Sequence, residues 1–296
     1  MIHIDNLHKR FGEIQAVDGV SFDVARGQVF GLLGPNGAGK TTTINMLVGV
    51  LKPDAGTVEI NGEGAPTCPS IRARIGNAPQ ALAIYDELTP EENLRFFGRL
   101  YGLCGARLKT RVAECLEFVG LTDRRKSRVS SLSGGMKRRL NLACGIVHEP
   151  PVLLLDEPTV GVDPQSRNLI FEKIEQLRDT DVCIVYTTHY MEEAQRLCDR
   201  VAIIDHGKIL AEGTVSELLD RYGDRAVVTA ELERAPDGIV SWPGPLEGLS
   251  LRFESDHPME DIAALSNQGV SFRSLHVERA DLEGVFLNLT GRRLRD

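Results

Sequence analysis

Gly34-Pro35-Asn36-Gly37-Ala38-Gly39-Lys40-Thr41-Thr42 decides how this chain is read. The stretch follows an apolar run, Val29-Phe30-Gly31-Leu32-Leu33, which predicts a buried strand, and leads into a helix expected over residues 43–51. The spacing G-x-x-x-x-G-K-T between a strand and a helix is that of a phosphate-binding P-loop, and both flanks the pattern requires are present. The residue types serve that chemistry. Glycines let successive backbone N–H groups turn inward around an anion, and the helix N-terminus behind them adds partial positive charge. Lys40 then reaches the outer phosphates, and the Thr41 hydroxyl joins the shell of a Mg2+ ion. A glycine-rich turn that binds nothing would leave Lys40 and Thr41 unexplained.

Outward from this loop, the chain alternates short elements. Upstream, Ile2-His3-Ile4 and Val20-Ser21-Phe22-Asp23-Val24 have period two and predict a small, largely antiparallel layer preceding the P-loop. Downstream, the turn Pro53-Asp54-Ala55-Gly56 introduces a strand over 57–60, residues 63–70 read as a loop, and a short strand over 74–80 ends in Gln80. From about 81 to 150 the texture is helical. Thr89-Pro90-Glu91-Glu92 starts a helix with a Thr cap, Pro at the first position and Glu at the third. Amphipathic segments over 93–103 and 107–119 follow, and Ser133 opens a helix that Pro150-Pro151 ends. Alternation then resumes, with strands over 152–155, 182–186, 201–204 and 208–210 and helices over 164–178, 191–198 and 214–222.

Residues 223–296 change character. Strands are expected over 226–232 and 270–277, with Leu249, Leu251 and Phe253 on one face of another, and helices over 259–267 and 281–289. A Pro/Gly-rich link over 236–248 carries the only tryptophan, Trp242. The chain therefore reads as an α/β domain over 1–222, with a helical subdomain at about 81–150, and a small α/β appendage over 223–296 of unassigned role.

Composition narrows the setting. The 296 residues are 42% hydrophobic and 26% charged, as in ordinary globular proteins. A net charge of −8 argues against non-specific polyanion binding, so no nucleic-acid partner is expected. No stretch approaches the roughly 18 apolar residues of a membrane span, and Met1-Ile2-His3-Ile4-Asp5 is no signal peptide. The six cysteines show no ligand-like spacing and read as reduced thiols. A cytosolic chain whose membrane role, if any, is peripheral fits these features.

A second half of a nucleoside-triphosphatase site should be acidic and stand at the end of a buried strand. Leu153-Leu154-Leu155-Asp156-Glu157 supplies it, at the carboxyl edge where open α/β sheets bind ligands. Adjacent carboxylates on extended chain point in different directions, so they divide the work: Asp156 holds Mg2+ and Glu157 polarises the attacking water. Leu132-Ser133-Gly134-Gly135-Met136 also looks like an anion site, with a Ser cap and two glycines at a helix start, though an ordinary capped helix has the same look.

The order of these features, namely the P-loop, Gln80, the Ser-Gly-Gly helix, Asp156-Glu157, Asp163 and His189, resembles the ATP-binding subunit of an ABC transporter over residues 2–222. The resemblance implies a P-loop NTPase cassette, with a RecA-like core, an antiparallel β layer and a helical subdomain. It also implies an ATPase that uses ATP and Mg2+. In it, Gly34, Pro35, Asn36, Gly37, Ala38, Gly39, Lys40, Thr41 and Thr42 hold the phosphates, and Thr41, Gln80 and Asp156 face the metal. Glu157, His189 and Gln80 are the catalytic set. Phe11 sits where an aromatic ring stacks on adenine, and Val17 lines the same pocket; the residues alone equally suit Phe11 as strand core. Ser133, Gly134 and Gly135 contact ATP on the opposite subunit, and Asp163 lies across the dimer seam while also suiting a helix cap.

Cassettes of this family pair head-to-tail, as a homodimer or a heterodimer, and drive a separate integral membrane permease from the cytoplasmic face of the cell membrane. Segments 85–94, 97–102, 127–136, 188–194 and 281–291 resemble type-2 ABC exporters, including drug-resistance and nodulation-factor exporters. Met136-Lys137 departs from the commoner Gln in the signature. A soluble ABC protein of translation or DNA repair is the competing reading, but such chains usually carry two cassettes or long coiled coils. A catalytically silent regulator sits poorly with Glu157 and His189.

Overall fold

In a computed structural model, which describes residues 1–223, 225–234, 243–278 and 281–291, the apolar run before the P-loop is the central strand of a sheet. The first compact unit, Met1–Val215, begins with β1 (Ile2–Phe11), β2 (Ile14–Val24), β3 (Val29–Leu33), α1 (Lys40–Leu47) and β4 (Ala55–Ile60). Next come α2 (Pro69–Arg72), β5 (Ile75–Ala78), α3 (Pro90–Leu100), α4 (Gly105–Phe118) and α5 (Gly134–Ile146). The unit closes with β6 (Val152–Asp156), α6 (Pro164–Arg178), β7 (Cys183–Thr188), α7 (Met191–Leu197), β8 (Arg200–Asp205) and β9 (Lys208–Gly213).

One sheet has the order β5-β6-β7-β3-β8-β9, parallel throughout except for β9. Every residue of β3, β6 and β7 is buried, which is why these strands read as apolar runs without alternation. Parallel register sets Leu33 beside Thr188 and Asp156 beside Thr187, so the segments leaving β3, β6 and β7 emerge side by side. That is the crevice where sheets of this kind bind ligands.

The antiparallel layer has the order β2-β1-β4. It does not wholly precede the P-loop: β4 comes after α1 and is drawn in because Val58 and Ile60 pair with Ile4 and Ile2 on the buried face. Ile2, Ile4, Phe22, Phe30, Leu32, Ile44, Met46, Leu47 and Leu154 belong to one buried cluster that ties this layer, α1 and the large sheet together. Each such side chain contributes about 1.5–3 kcal/mol. α1 starts at Lys40, earlier than its apolar pattern implied, and stops at Leu47 ahead of the left-handed Gly49.

α3 opens on the expected capping box, with Thr89 and Glu92 exchanging hydrogen bonds. It ends at Leu100, because the left-handed Gly102 turns the chain. The short helix α2 begins at the end of the expected loop, with Pro69 in its first turn, and runs past it to Arg72.

The second compact unit runs from Ser216 to Leu294, so the helix α8 (Val215–Tyr222), read from sequence as closing the first domain, goes with the second. Its other elements are β10 (Ala226–Leu232), β11 (Leu246–Glu247), β12 (Ser250–Ser255), α9 (Pro258–Asn267), β13 (Phe272–Glu278) and α10 (Leu282–Thr290). Among the described residues, the strands form one antiparallel sheet of order β11-β12-β10-β13. Val228, Ala230, Leu251, Phe253 and Leu265 make its core. Leu249 is exposed in the turn before β12 and does not share the face of Leu251 and Phe253. Part of the expected link is strand β11, and Trp242 lies outside the described residues. No helix among the described residues is long and apolar enough to cross a membrane.

Candidate functional site

The P-loop joins the end of β3 to the start of α1. Two of its glycines are dictated by backbone crowding. A Cβ on Gly34 would stand 2.1 Å from the Ile204 carbonyl oxygen, and one on Gly39, whose φ is 107°, would stand 2.4 Å from that of Ala16. Asn36, Gly37 and Thr41 are exposed, Thr42 is half-buried, and Pro35 and Ala38 are buried. Lys40 is only 4% exposed. Its Nζ donates to the carbonyls of Gly34 at 2.7 Å and Pro35 at 3.0 Å, and stands 3.0 Å from Glu157 Oε1.

Asp156 ends β6 and is 2% exposed. Thr187 Oγ1 donates to its Oδ1 at 2.6 Å. Burial pushes its carboxyl above the ordinary carboxylate range, outweighing hydrogen bonds from the Thr187 and Thr41 hydroxyls and the attraction of Lys40. Glu157, the next residue, turns left-handed (φ 46°), and its N–H donates to Thr187 Oγ1 at 3.0 Å. Its carboxylate faces Lys40 on one side. On the other, Gln80 Nε2 donates to Oε2 at 3.2 Å, and His189 Nδ1 lies 3.3 Å from the same oxygen, outside hydrogen-bond geometry. The fold thus gathers Lys40, Gln80 and His189, far apart in sequence, around one carboxylate.

Ser133 caps α5, accepting from the Met136 N–H at 3.3 Å. Gly134 and Gly135 differ in kind. A Cβ on Gly134 would meet nothing nearer than 3.9 Å, whereas one on the buried Gly135 would be 2.1 Å from Ser166 Oγ in α6. Asp163 is an exposed cap for α6, accepting from the Ser166 N–H at 2.9 Å, and that hydrogen bond holds its carboxyl low. Among the described residues, no hydrogen bond or ion pair joins Ser133 or Asp163 to the Lys40–Glu157 group.

Phe11 is 49% exposed, with Lys9 Nζ 5.7 Å from its ring centroid, so it is not a strand core residue. Val17, expected in the same pocket, is fully buried in the cluster between the sheets.

Sequence reading missed two charged groups. Arg138 of α5 donates to the Gln80 carbonyl and, at 3.2 Å, to that of Val160; burial lowers its pKa against the pull of Glu157 and Asp156. Glu193 of α7 is buried among hydroxyls. The signal for Glu193 was present: it shares the helix face of the buried Ala194 and Leu197. A cavity of about 580 Å³, lined by Arg111, Phe118, Leu177 and others, includes none of the candidate residues.

A family model described as ABC transporter matches residues 17–160. The linearmycin resistance ATP-binding protein LnrL of Bacillus subtilis (strain 168) is 41% identical, with 100% of both chains covered. Nod factor export ATP-binding protein I of Ralstonia nicotianae is 42% identical, covering 100% of this chain and 95% of that protein. Among solved structures, the dimeric post-hydrolysis state of the ATP-binding cassette MJ0796, bound to ADP and Pi, has a TM-score of 0.67. It is 25% identical and covers 72% of this chain and 98% of its own. Matched along its whole length, with a phosphate loop set beside a paired carboxylate site, the chain belongs to the ABC transporter family as one of its ATP-binding subunits.

Proposed function

We propose that this chain hydrolyses ATP to ADP and phosphate within a head-to-tail cassette dimer and so drives export through a separate membrane permease. The observation that carries the reading is the Glu157 carboxylate, held beside the P-loop by Lys40 and Gln80. Lys40 spends its donors on two P-loop carbonyls and Glu157. An arriving γ-phosphate competes for that ammonium. Once Lys40 turns to it, Glu157 is free to take a proton from water. The water oxygen then bonds to the γ-phosphorus as the bond to the β–γ bridging oxygen breaks. His189, 3.3 Å from Glu157, stands close enough to steady the departing phosphoryl group.

Asp156, Thr41 and the side-chain oxygen of Gln80 are the groups that would hold Mg2+. They fit it: the donors are hard oxygens, and Asp156 is a buried carboxylate whose ionisation burial opposes. When bound, the ion neutralises charge on the phosphate oxygens. Phe11 offers its exposed ring to adenine.

The room left at Gly134 supports a ligand from outside the chain at α5, which is the ATP held by a second copy, with Asp163 at the seam. Tyr85, Phe96 and Leu100 leave apolar surface exposed, with the Tyr85 and Phe96 rings 5.0 Å apart; this is where the permease docks. Outward transport follows the relatives named for export and resistance. The chain then works as a peripheral subunit at the cytoplasmic face of the membrane.

Glu157→Gln tests the chemistry. It should keep ATP binding and slow phosphate release by about 10²-fold or more, the scale of general-base catalysis. Parent-like turnover would remove Glu157 from the role.

A further inference from the structure

Glu193, in the first turn of α7, is 2% exposed, yet the hydrolysis described above does not use it. A buried carboxylate is tolerated only when its oxygens are satisfied. Its Oε1 accepts from Thr159 Oγ1 at 2.7 Å, and its Oε2 accepts from the Tyr186 hydroxyl at 2.7 Å and Thr188 Oγ1 at 2.8 Å. Arg167 Nε lies 3.9 Å from Oε1. Burial, with the nearby charge of Glu193, holds the Tyr186 hydroxyl well above its usual pKa, so it stays a donor.

The partners come from the two segments that carry the chemistry. Thr188 directly precedes His189, and its Oγ1 also accepts from the Tyr190 N–H at 2.9 Å, closing the turn around that histidine. Thr159 follows Glu157-Pro158, and its carbonyl accepts from the Val162 N–H at 3.3 Å in the turn that leads to Asp163. One carboxylate therefore pins the loop bearing His189 and the loop running from Glu157 to Asp163. An apolar side chain would fill this space without fixing either loop against the other.

We infer that Glu193 is a positioning residue for ATP hydrolysis, holding His189 and the Glu157–Asp163 loop in a single mutual register. The inference rests on the roles proposed above for Glu157 and His189. Gln at this position keeps the size but offers one accepting oxygen and one NH2 group. One of the hydroxyls must then turn round or lose its partner.

The test uses the purified full-length chain and a double-mutant cycle on steady-state ATP hydrolysis. Glu193→Gln should leave the Kd for ATP within about twofold and lower kcat about tenfold, short of the 10²-fold that gross misplacement brings. In a His189→Ala background the same change should cost only about threefold, because one of the two parts it holds in register is gone and only the Glu157–Asp163 loop is left to position. Parent-like kcat for Glu193→Gln, or an equal loss in both backgrounds, overturns the inference. Thr188→Val leaves the carboxylate two of its hydroxyl donors and should lower kcat with Kd unchanged; a parent-like kcat there overturns it too, even if Glu193→Gln does not fold. His189→Ala with full activity would instead remove the reading of His189, so the two failures are distinguishable.

Discussion

Asp156 and Glu157 are neighbours in sequence with opposite surroundings. Glu157 meets a buried ammonium, while Asp156 meets hydroxyls and a burial penalty that raises its pKa above its ordinary 3.8. A folded-state pKa raised in this way means that ionisation of Asp156 costs folding free energy. Its contribution is fully present below the ordinary value and is lost as pH rises through the raised one. Asp156→Asn should therefore melt at or above the parent at pH 7, with the difference shrinking as pH falls toward 3.8, while Mg2+-dependent turnover drops; thermal melts across pH check this. Lys40→Ala has the opposite signature. It leaves Glu157 buried without its cation, at a cost of about 3 kcal/mol without nucleotide, and also removes phosphate contacts worth about 1.5–3 kcal/mol. Urea unfolding and ATP titration measure the two losses separately.

The start of α5 sets two adjacent glycines against each other. Gly135 is glycine because α6 comes too close for a side chain, and Gly134 has room to spare. Gly135→Ala should thus cost about 1–3 kcal/mol of stability, the range for overpacking. Gly134→Ala should leave the melting temperature unchanged and still reduce turnover, because the surface it crowds belongs to a second copy's nucleotide. Melting curves and phosphate release, compared for the two variants, decide the matter. Equal behaviour would mean that the helix start serves the fold alone.

Every residue assigned to nucleotide chemistry lies in the unit Met1–Val215, so the second unit supplies none of them. Within that first unit, no hydrogen bond or ion pair among the described residues joins Ser133 or Asp163 to the Lys40–Glu157 group, and in the dimer proposed above a second cassette would complete both pockets. The hydrolysis-deficient Glu157→Gln chain should therefore run as a dimer with ATP and as a monomer of 32.5 kDa without it. Adding Ser133→Arg should return it to monomer. Light scattering reads both states, and dimers that ignore ATP and Ser133 would contradict the shared-pocket arrangement.

The P-loop, the buried strands, the capped starts of α3, α5 and α6 and the Asp156-Glu157 pair were legible in the sequence, because each is a local pattern of apolar runs, caps and short spacings. Tertiary structure alone settled what depends on distant chain. Val17, expected beside the adenine, stands in β2 with its side chain in the cluster that ties the antiparallel layer to the large sheet. Gly34 and Gly39 were read for their N–H groups, yet the Ile204 and Ala16 carbonyls forbid any side chain there. The grip of Lys40 on Glu157 and that of Glu193 on Thr159 join segments that follow different strands, and no spacing along one chain segment encodes a contact made only when those parallel strands align.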